Sequence, residues 1–429
     1  MRALEHSKAD LRRYWPRTAY RPLSPAALRR SAGWLEAGLD AAALLFFPLL
    51  VLAPRGIAPL ASVAGLFAGG LVLSAGIRAW RPALTAPAAL LGSLLAWGIV
   101  SALWAIDPRH SLDMAARLAG LFAAGLALAA AVALLAAPRR LTLFLLGGFV
   151  LGIAMAAADF ATRGALSAPF SSRVYQAAWL NQASVAFAIL LLPASAVPLR
   201  RGRAAVALLL AAAGVATVYM LAGTAAKTAL TAGLVMALLL YVSRIRAARA
   251  AAAASILLII TAPLTFARLE RLPAFTETAD AIKQSAGHRL LIWSFVGDRI
   301  AEHAIIGWGL DSSRAIPGGN DPIEPGETWL PLHPHNAPLQ LWLELGVPGA
   351  VLFALVTASA WLALAAADWP RLFAAAAGGG LAAAFVACLG TYGIWQEWWQ
   401  GTLWFSLFLV FVMARAAVPP DEGRAGGGA

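Results

Sequence analysis

Charge and cysteine are what this sequence has least of. Only 13% of its 429 residues are charged, and Cys388 is the single cysteine. One thiol inside an apolar run excludes an intramolecular disulfide and a cysteine-based metal cluster. There is no G-x-S-x-G elbow and no H-E-x-x-H helix, so neither an acyl-enzyme hydrolase nor a zincin has its motif. No internal repeat stands out from the Ala-rich composition. What is abundant is apolar: 61% of residues are hydrophobic and the mean hydropathy is +0.74.

Apolar windows of about 20 residues, the length that crosses a bilayer, fall near 35–53, 57–77, 84–104, 112–136, 141–160, 174–197, 204–222, 225–243, 251–267, 337–362, 371–394 and 400–417. The chain therefore reads as an all-α polytopic membrane protein with about twelve transmembrane helices. The weakest division is at "MLAGTAAKTALTAGLV", where two windows abut and a merger would invert everything after it. Residues 1–34, basic and proline-interrupted with no cleavage site after a short apolar core, read as a retained cytosolic tail instead of a signal peptide. Residues 35–417 form the membrane domain and 418–429 a flexible cytosolic tail.

Lys and Arg outnumber Asp and Glu by 33 to 21, a net charge of +12. Basic connections such as "APRR" (137–140), "PLRRGR" (198–203) and "SRIRAAR" (243–249) contrast with "WAIDPRHSLD" (104–113). By the positive-inside rule both termini lie in the cytosol and a long loop, 268–336, lies outside. These arginines read as topology anchors that contact membrane lipids. Scattered among membrane turns, they make no coherent basic surface, which excludes nucleic acid as a partner.

The outer loop carries the polar residues that the spans avoid. Between Thr278 and His303, Ala281, Leu290, Ile292, Trp293, Val296 and Ile300 recur at helical spacing, predicting a helix that packs over the bundle. The Gly- and Pro-rich stretch that follows predicts irregular backbone. It ends in "PLHPHNAPLQLWLELGVPG" (331–349), which sets His333, His335 and Asn336 at the mouth of a span. Two readings of that mouth stay open. Asn336 caps the helix beside a surface histidine, or a neutral imidazole there takes a proton from an incoming hydroxyl while the helix end favours an anion. Arg289 either pairs with Glu302, Asp298 or a lipid headgroup, or offers its donor fork to a diphosphate. Arg163, Arg173, Asn181, Gln182 and Lys227 gather toward the same side. Singly, Asn181 reads as an interhelical hydrogen bond and Lys227 as a snorkelling cation; together they suggest a substrate path. His333 and His335 with Asp321, Glu324 and Glu327 could supply metal ligands, but the spacing matches no recognised motif, and no metal is expected.

"HPHNAPLQLWLELGVPGAVLF" at 333–353 resembles the His-Asn, apolar run, Glu-x-Gly-x-x-Gly signature of the bacterial O-antigen ligase and O-antigen polymerase superfamily. "HRLLIWSFVGDRIAEHAIIGWGLDSS" at 288–313 is similar to its Arg, apolar/Trp, then Gly-x-Gly pattern. The resemblance implies a membrane glycosyltransferase of the bacterial inner membrane, with a periplasmic active site that needs no cofactor. It would take a glycan from undecaprenyl diphosphate and pass it to a lipid A-core hydroxyl with inversion. On the resemblance His335 takes the role of the catalytic histidine and Arg289 that of the diphosphate-binding arginine. Arg163, Arg173, Asn181, Lys227, His333 and Asn336 fall on the substrate-binding side. A family "TGxR"-like arginine has no direct equivalent: "AGTAAKTA" places Ala225 nearest, with Lys227 two residues on. A ligase is favoured over an O-antigen polymerase, a protein O-oligosaccharyltransferase and a transporter of lipid-linked solutes.

Overall fold

The structure, a computed structural model, describes residues 33–170, 180–282, 284–324 and 327–417. Both predicted tails and Arg173 lie outside the described residues. The helices are α1 (Gly33–Leu52), α2 (Ile57–Ala75), α3 (Ala86–Ser101), α4 (Pro108–Ala131), α5 (Pro138–Ala161), α6 (Asn181–Arg200) and α7 (Ala204–Met220). They continue with α8 (Thr224–Ile260), α9 (Ala262–Thr265), α10 (Pro273–Ile282), α11 (Gln284–Glu302), α12 (Ala337–Ala366), α13 (Arg371–Cys388) and α14 (Glu397–Ala417). The remaining sheet is a two-stranded hairpin, β1 (Pro322–Glu324) with β2 (Glu327–Thr328).

The chain is a multi-pass membrane protein, but the expected twelve spans are not what is seen. Among the described residues nine helices are long and apolar enough to cross a membrane, or ten if the pair Ile77–Ala83 and Ala86–Ser101, bent by 91°, is one span. The window 204–222 forms a 17-residue helix, shorter than a full crossing. Windows 225–243 and 251–267 fall on separate legs of the 37-residue α8, which ends at Ile260 and is broken at Ser243 (φ −146°, ψ 83°). Contacts on the two sides of that break run in opposite senses. Before it, Gly233 lies against Gly379 and Tyr241 O accepts from Arg371 Nε at 2.6 Å, so α8 descends antiparallel to α13. After it, Arg244 reaches Leu364 O, Trp361 Nε1 reaches Ser255 Oγ and Trp342 Nε1 reaches Ile259 O, so the chain climbs antiparallel to α12. The window 371–394 is also corrected: α13 stops at Cys388, and the next eight residues are loop.

Small residues let the helices approach to backbone contact. A Cβ at Gly148 would stand 2.3 Å from Leu44 O, and one at Gly233 2.8 Å from Gly379 O. Arginines close one end of the bundle. Arg415 donates to Val132 O and Leu135 O, Arg201 to Ala416 O, and Arg140 pairs with Asp40 at 2.7 Å. Helix C-termini leave carbonyls without intrahelical partners, and cations there satisfy them. Helix α14 runs from the 389–396 loop to this arginine end, and α5 starts at the arginine end, so the loop and residue 163 lie at the opposite one.

At that opposite end the predicted loop helix is present as α11, and the predicted irregular stretch follows it. Two glycine segments there cross at backbone distance. Trp308 N donates to Leu343 O at 2.9 Å and Gly309 N to Glu344 O at 2.8 Å. Gly346, at φ 61° and ψ −154°, occupies a region essentially reserved for glycine, and breaks α12. A Cβ on it would stand 2.4 Å from Ile305 O and 2.7 Å from Gly307 N. Gly346→Ala should therefore cost about 3 kcal/mol or more, read as a lower unfolding midpoint of the detergent-solubilised protein. Gly147→Ala, whose Cβ meets only Leu44 Cδ1 at 3.6 Å, is the control and should change little.

Candidate active site at the histidine loop

The site is built on two consecutive carbonyls. Leu389–Gln396, the loop between α13 and α14, presents Gly390 O to Arg289 Nη1 at 2.6 Å and Thr391 O to His335 Nδ1 at 2.5 Å. These carbonyls just past the C-terminus of α13 carry partial negative charge and favour a cation and an N–H donor. Because a carbonyl only accepts, the His335 contact fixes the proton on Nδ1 and leaves the Nε2 lone pair free. His335 is also one of three described non-glycine residues at positive φ, 56°. Such left-handed backbone persists where its surroundings hold it.

Those surroundings are identifiable. Trp293 Nε1 donates to Pro334 O at 2.8 Å, pinning the histidine loop to α11. Arg289 and Trp293 are four residues apart, so one face of α11 supplies both the guanidinium and the clamp. His333 lies beneath, its ring 4.2 Å from that of His335, with Nδ1 accepting from His335 N–H at 3.2 Å. Its Nε2 stands 3.2 Å from Gly393 N, and a neutral imidazole can accept at one nitrogen only. A Cβ at Gly393 would come within 2.8 Å of this ring. Asn336 is the N-cap of α12, its Oδ1 accepting from Leu339 N at 3.0 Å, but the histidines beside it are not at the surface: His333 is buried and His335 partly so.

The loop is itself anchored by a buried carboxylate. Glu344 accepts from Trp395 Nε1 at 2.5 Å, Asp311 N at 2.6 Å, Gln340 Nε2 at 3.0 Å and the Ser313 hydroxyl. Gln340 Oε1 takes Ile394 N at 2.9 Å, and His110 Nε2 meets Asp311 Oδ2 at 2.7 Å. Neither the loop carbonyls nor this network was among the expected site residues. The signal was present in "LGTYGIWQ", whose Gly and Thr interrupt what otherwise reads as an apolar window.

The remaining expected residues meet this site less directly. Asn181 begins α6 against Gly223, one turn before Lys227 at the start of α8, and both helices begin at the histidine end. Asn181 Oδ1 and Gln182 Oε1 are buried with no hydrogen-bond partner among the described residues. Arg163, exposed at φ 52°, sits in a turn closed by Asp159, which accepts from Leu166 N and Ser167 N. No described contact ties Arg163 or Lys227 to His335. Arg289 takes none of the expected acidic partners; Arg299 pairs with Glu302 instead. Among the described residues no three His, Cys, Asp or Glu side chains converge so as to hold a metal.

Residues 207–354 match the family described as O-antigen ligase. That segment is about a third of the chain, and over it the chain is similar to this family. The chain is 38% identical over 146 residues to a Rickettsia conorii protein provisionally named a polysaccharide ligase, covering 33% of this chain and 34% of that relative. Similarly named proteins of Rickettsia felis and Rickettsia prowazekii are 37% and 35% identical over 146 and 148 residues, each match covering 33% of this chain. The matches span about a third of these curated relatives, 34% and 35% of their lengths. The segment that matches the family holds Arg289, both loop histidines, Glu344 and the crossing glycines.

Burial first, and then the neighbouring His335, Arg314 and Arg289, push the His333 imidazole down to about 2. Burial also lowers His335 to about 4, opposed by the Thr391 carbonyl and reinforced by Arg289 and His288. Both folded values lie below the ordinary 6.5. Unfolding therefore takes up protons once the pH drops under 6.5, and stability is lost as pH falls from there toward 4. Thermal unfolding in detergent across that window should show the fall, with a shallower slope in His333→Gln. A ring-nitrogen NMR titration placing His335 near 6.5 would show that its imidazole is not held neutral as described.

Proposed function

We propose that the protein is an O-antigen ligase. It transfers a glycan from undecaprenyl diphosphate to a hydroxyl of lipid A-core, at the periplasmic face of the bacterial inner membrane and without a metal. The observation that carries this reading is the pair of adjacent carbonyls that hold a guanidinium and a tautomer-fixed imidazole side by side. The family match and the provisional names of the rickettsial relatives support the same class of chemistry.

In this reading Arg289 binds the donor diphosphate through the guanidinium nitrogens that Gly390 leaves free. Its charge stabilises the leaving group as the glycosidic C–O bond breaks and the electron pair passes to the diphosphate oxygen. The acceptor hydroxyl attacks the anomeric carbon from the opposite side, inverting it, and its proton passes to His335 Nε2. Before substrate arrives, burial and the Arg289 charge keep the imidazole neutral. A bound diphosphate offsets that charge and raises the proton affinity of His335 when the base is needed. Asn181, Lys227, Arg163, His333 and Asn336 line the approach or support the loop, and Arg173 keeps its role as a substrate-binding residue by resemblance alone. Both termini are then cytosolic, with the arginine end inside.

Reconstituted protein supplied with undecaprenyl-diphosphate glycan, and with lipid A-core, a second lipid-linked glycan or an acceptor protein in parallel, tests the assignment. Transfer to lipid A-core should dominate. His335→Ala should lower kcat by about 10²–10⁴, with donor binding retained. Arg289→Gln should chiefly weaken donor binding. Unchanged transfer in His335→Ala would remove the proton-acceptor role, and uptake of the lipid-linked glycan without bond formation would replace the ligase by a transporter.

A further inference from the structure

The far side of α11 carries a second cleft, of about 420 Å³. Successive helical residues turn by about 100°, so Ser294, Phe295 and Asp298 point away from the face that presents Arg289 and Trp293. Two stretches of the following loop, 318–321 and 329–330, close over them, fixed by Leu330 N donating to Gly319 O at 2.7 Å and Trp329 N to Asp321 O at 3.3 Å. The Trp329 indole stacks on Phe295, ring centroids 5.9 Å apart and planes 23° apart, and gives the cleft a flat apolar wall. Polar groups share the cleft with it, and the Arg299 guanidinium lies over the Phe295 ring, 5.0 Å from its centroid. From the point where a Cβ on Gly318 would stand, Asp321 Oδ2 and Phe295 Cε2 are 3.7 Å away and Arg299 Nη2 is 3.8 Å away. Gly318, at φ 77°, leaves that space open.

Several of these groups have unused hydrogen-bonding capacity. Arg299 spends Nη1 on Glu302, and its buried Nε has no partner among the described residues. The side chains of Asp298 and Asp321 likewise have no described hydrogen-bond or ion-pair partner. Glu270, also lining the cleft, accepts from the Ser294 hydroxyl. Aromatic surface beside several acceptors and one forked donor is what a pyranose needs: C–H faces against the aromatic, vicinal hydroxyls on carboxylates and guanidinium. The volume lies within the range of small-molecule sites. Three carboxylates against one guanidinium repel phosphorylated or carboxylated sugars, so the fit is to uncharged ones.

We infer that the cleft between α11 and the 318–321 and 329–330 stretches is a saccharide subsite for uncharged sugars, gripping the glycan roughly one helix diameter, about 10 Å, from the transfer centre. This rests on the glycan-transfer reading for its purpose but not for its test. The purified full chain is titrated by saturation-transfer NMR with maltotriose and mannotriose as neutral probes and trigalacturonate as the acidic one. A neutral trisaccharide should bind, the acidic one should not, and Asp298→Arg and Trp329→Ala should each weaken binding at least tenfold while His335→Ala leaves it intact. Asp298 is exposed, so its replacement separates loss of the subsite from loss of the fold. Failure of both neutral probes to bind, binding unaltered in both variants, or preference for the acidic probe would each overturn the inference. Competition by donor glycan and by acceptor oligosaccharide, each freed of its lipid and assayed separately, identifies which substrate occupies the cleft. Sugar binding without any transfer would uphold the subsite and remove the ligase chemistry, so the two readings fail separately.

Discussion

The fully buried carboxylate of Glu344 ties together three stretches of chain that the sequence keeps far apart. Its donors come from the 307–313 segment, from α12 itself and from the loop before α14. Deprived of water, a carboxylate is tolerable only when its lone pairs are filled, and each of these donors would in turn be costly to strand, though less so than the acid. The arrangement is therefore held as a unit. Through Trp395 and Ile394 it fixes the loop whose neighbouring carbonyls, Gly390 O and Thr391 O, hold the guanidinium and the imidazole. The positions of the two chemical groups follow from a residue that touches neither.

The signature residues divide along the same line. Gly307, Gly309 and Gly346 allow two backbones to cross where no side chain fits, and Glu344 locks the crossing from inside. Trp97 Nε1 on Leu345 O and Trp104 Nε1 on Gly307 O brace it from the turn of α3. Only Arg289 and His335 present groups suited to a diphosphate and a proton. A motif that spans scaffold and chemistry explains how so short a segment matches a family across a chain whose other helices are largely interchangeable Ala, Leu and Gly.

Much of this was legible in the residues. Helical spacing located α11, Asn336 announced the cap of α12, and the two quoted blocks pointed to the loop where Arg289 and His335 meet. Hydropathy read the spans less well. The break at Ser243 was marked, since it falls where the window 225–243 ends and Arg244, Arg246 and Arg249 interrupt the apolar run. The end of α13 was hidden because Leu389, Ile394 and Trp395 keep the window apolar while their backbone has already left the helix. The groups that orient the site, two carbonyl oxygens, belong to every residue and carry no sequence signature at all.

The two ends of the bundle use arginine differently, and the contrast bears on what Arg289 is for. Arg244 spends Nε, Nη1 and Nη2 on the carbonyls of Leu364, Trp369 and Ala367, which exhausts its three nitrogens on the fold. Arg289 has one described bond, from Nη1, and no acidic partner. Burial lowers its proton affinity, with Tyr392 giving only a partial offset. A half-buried guanidinium left this far from neutralised is destabilising unless something anionic completes it. The fold supplies no such anion among the described residues, whereas a diphosphate brings both the charge and the paired acceptor oxygens that a guanidinium fork matches. On the proposed reading, donor binding would recover the cost of keeping Arg289 unpaired and would at the same time raise the proton affinity of His335.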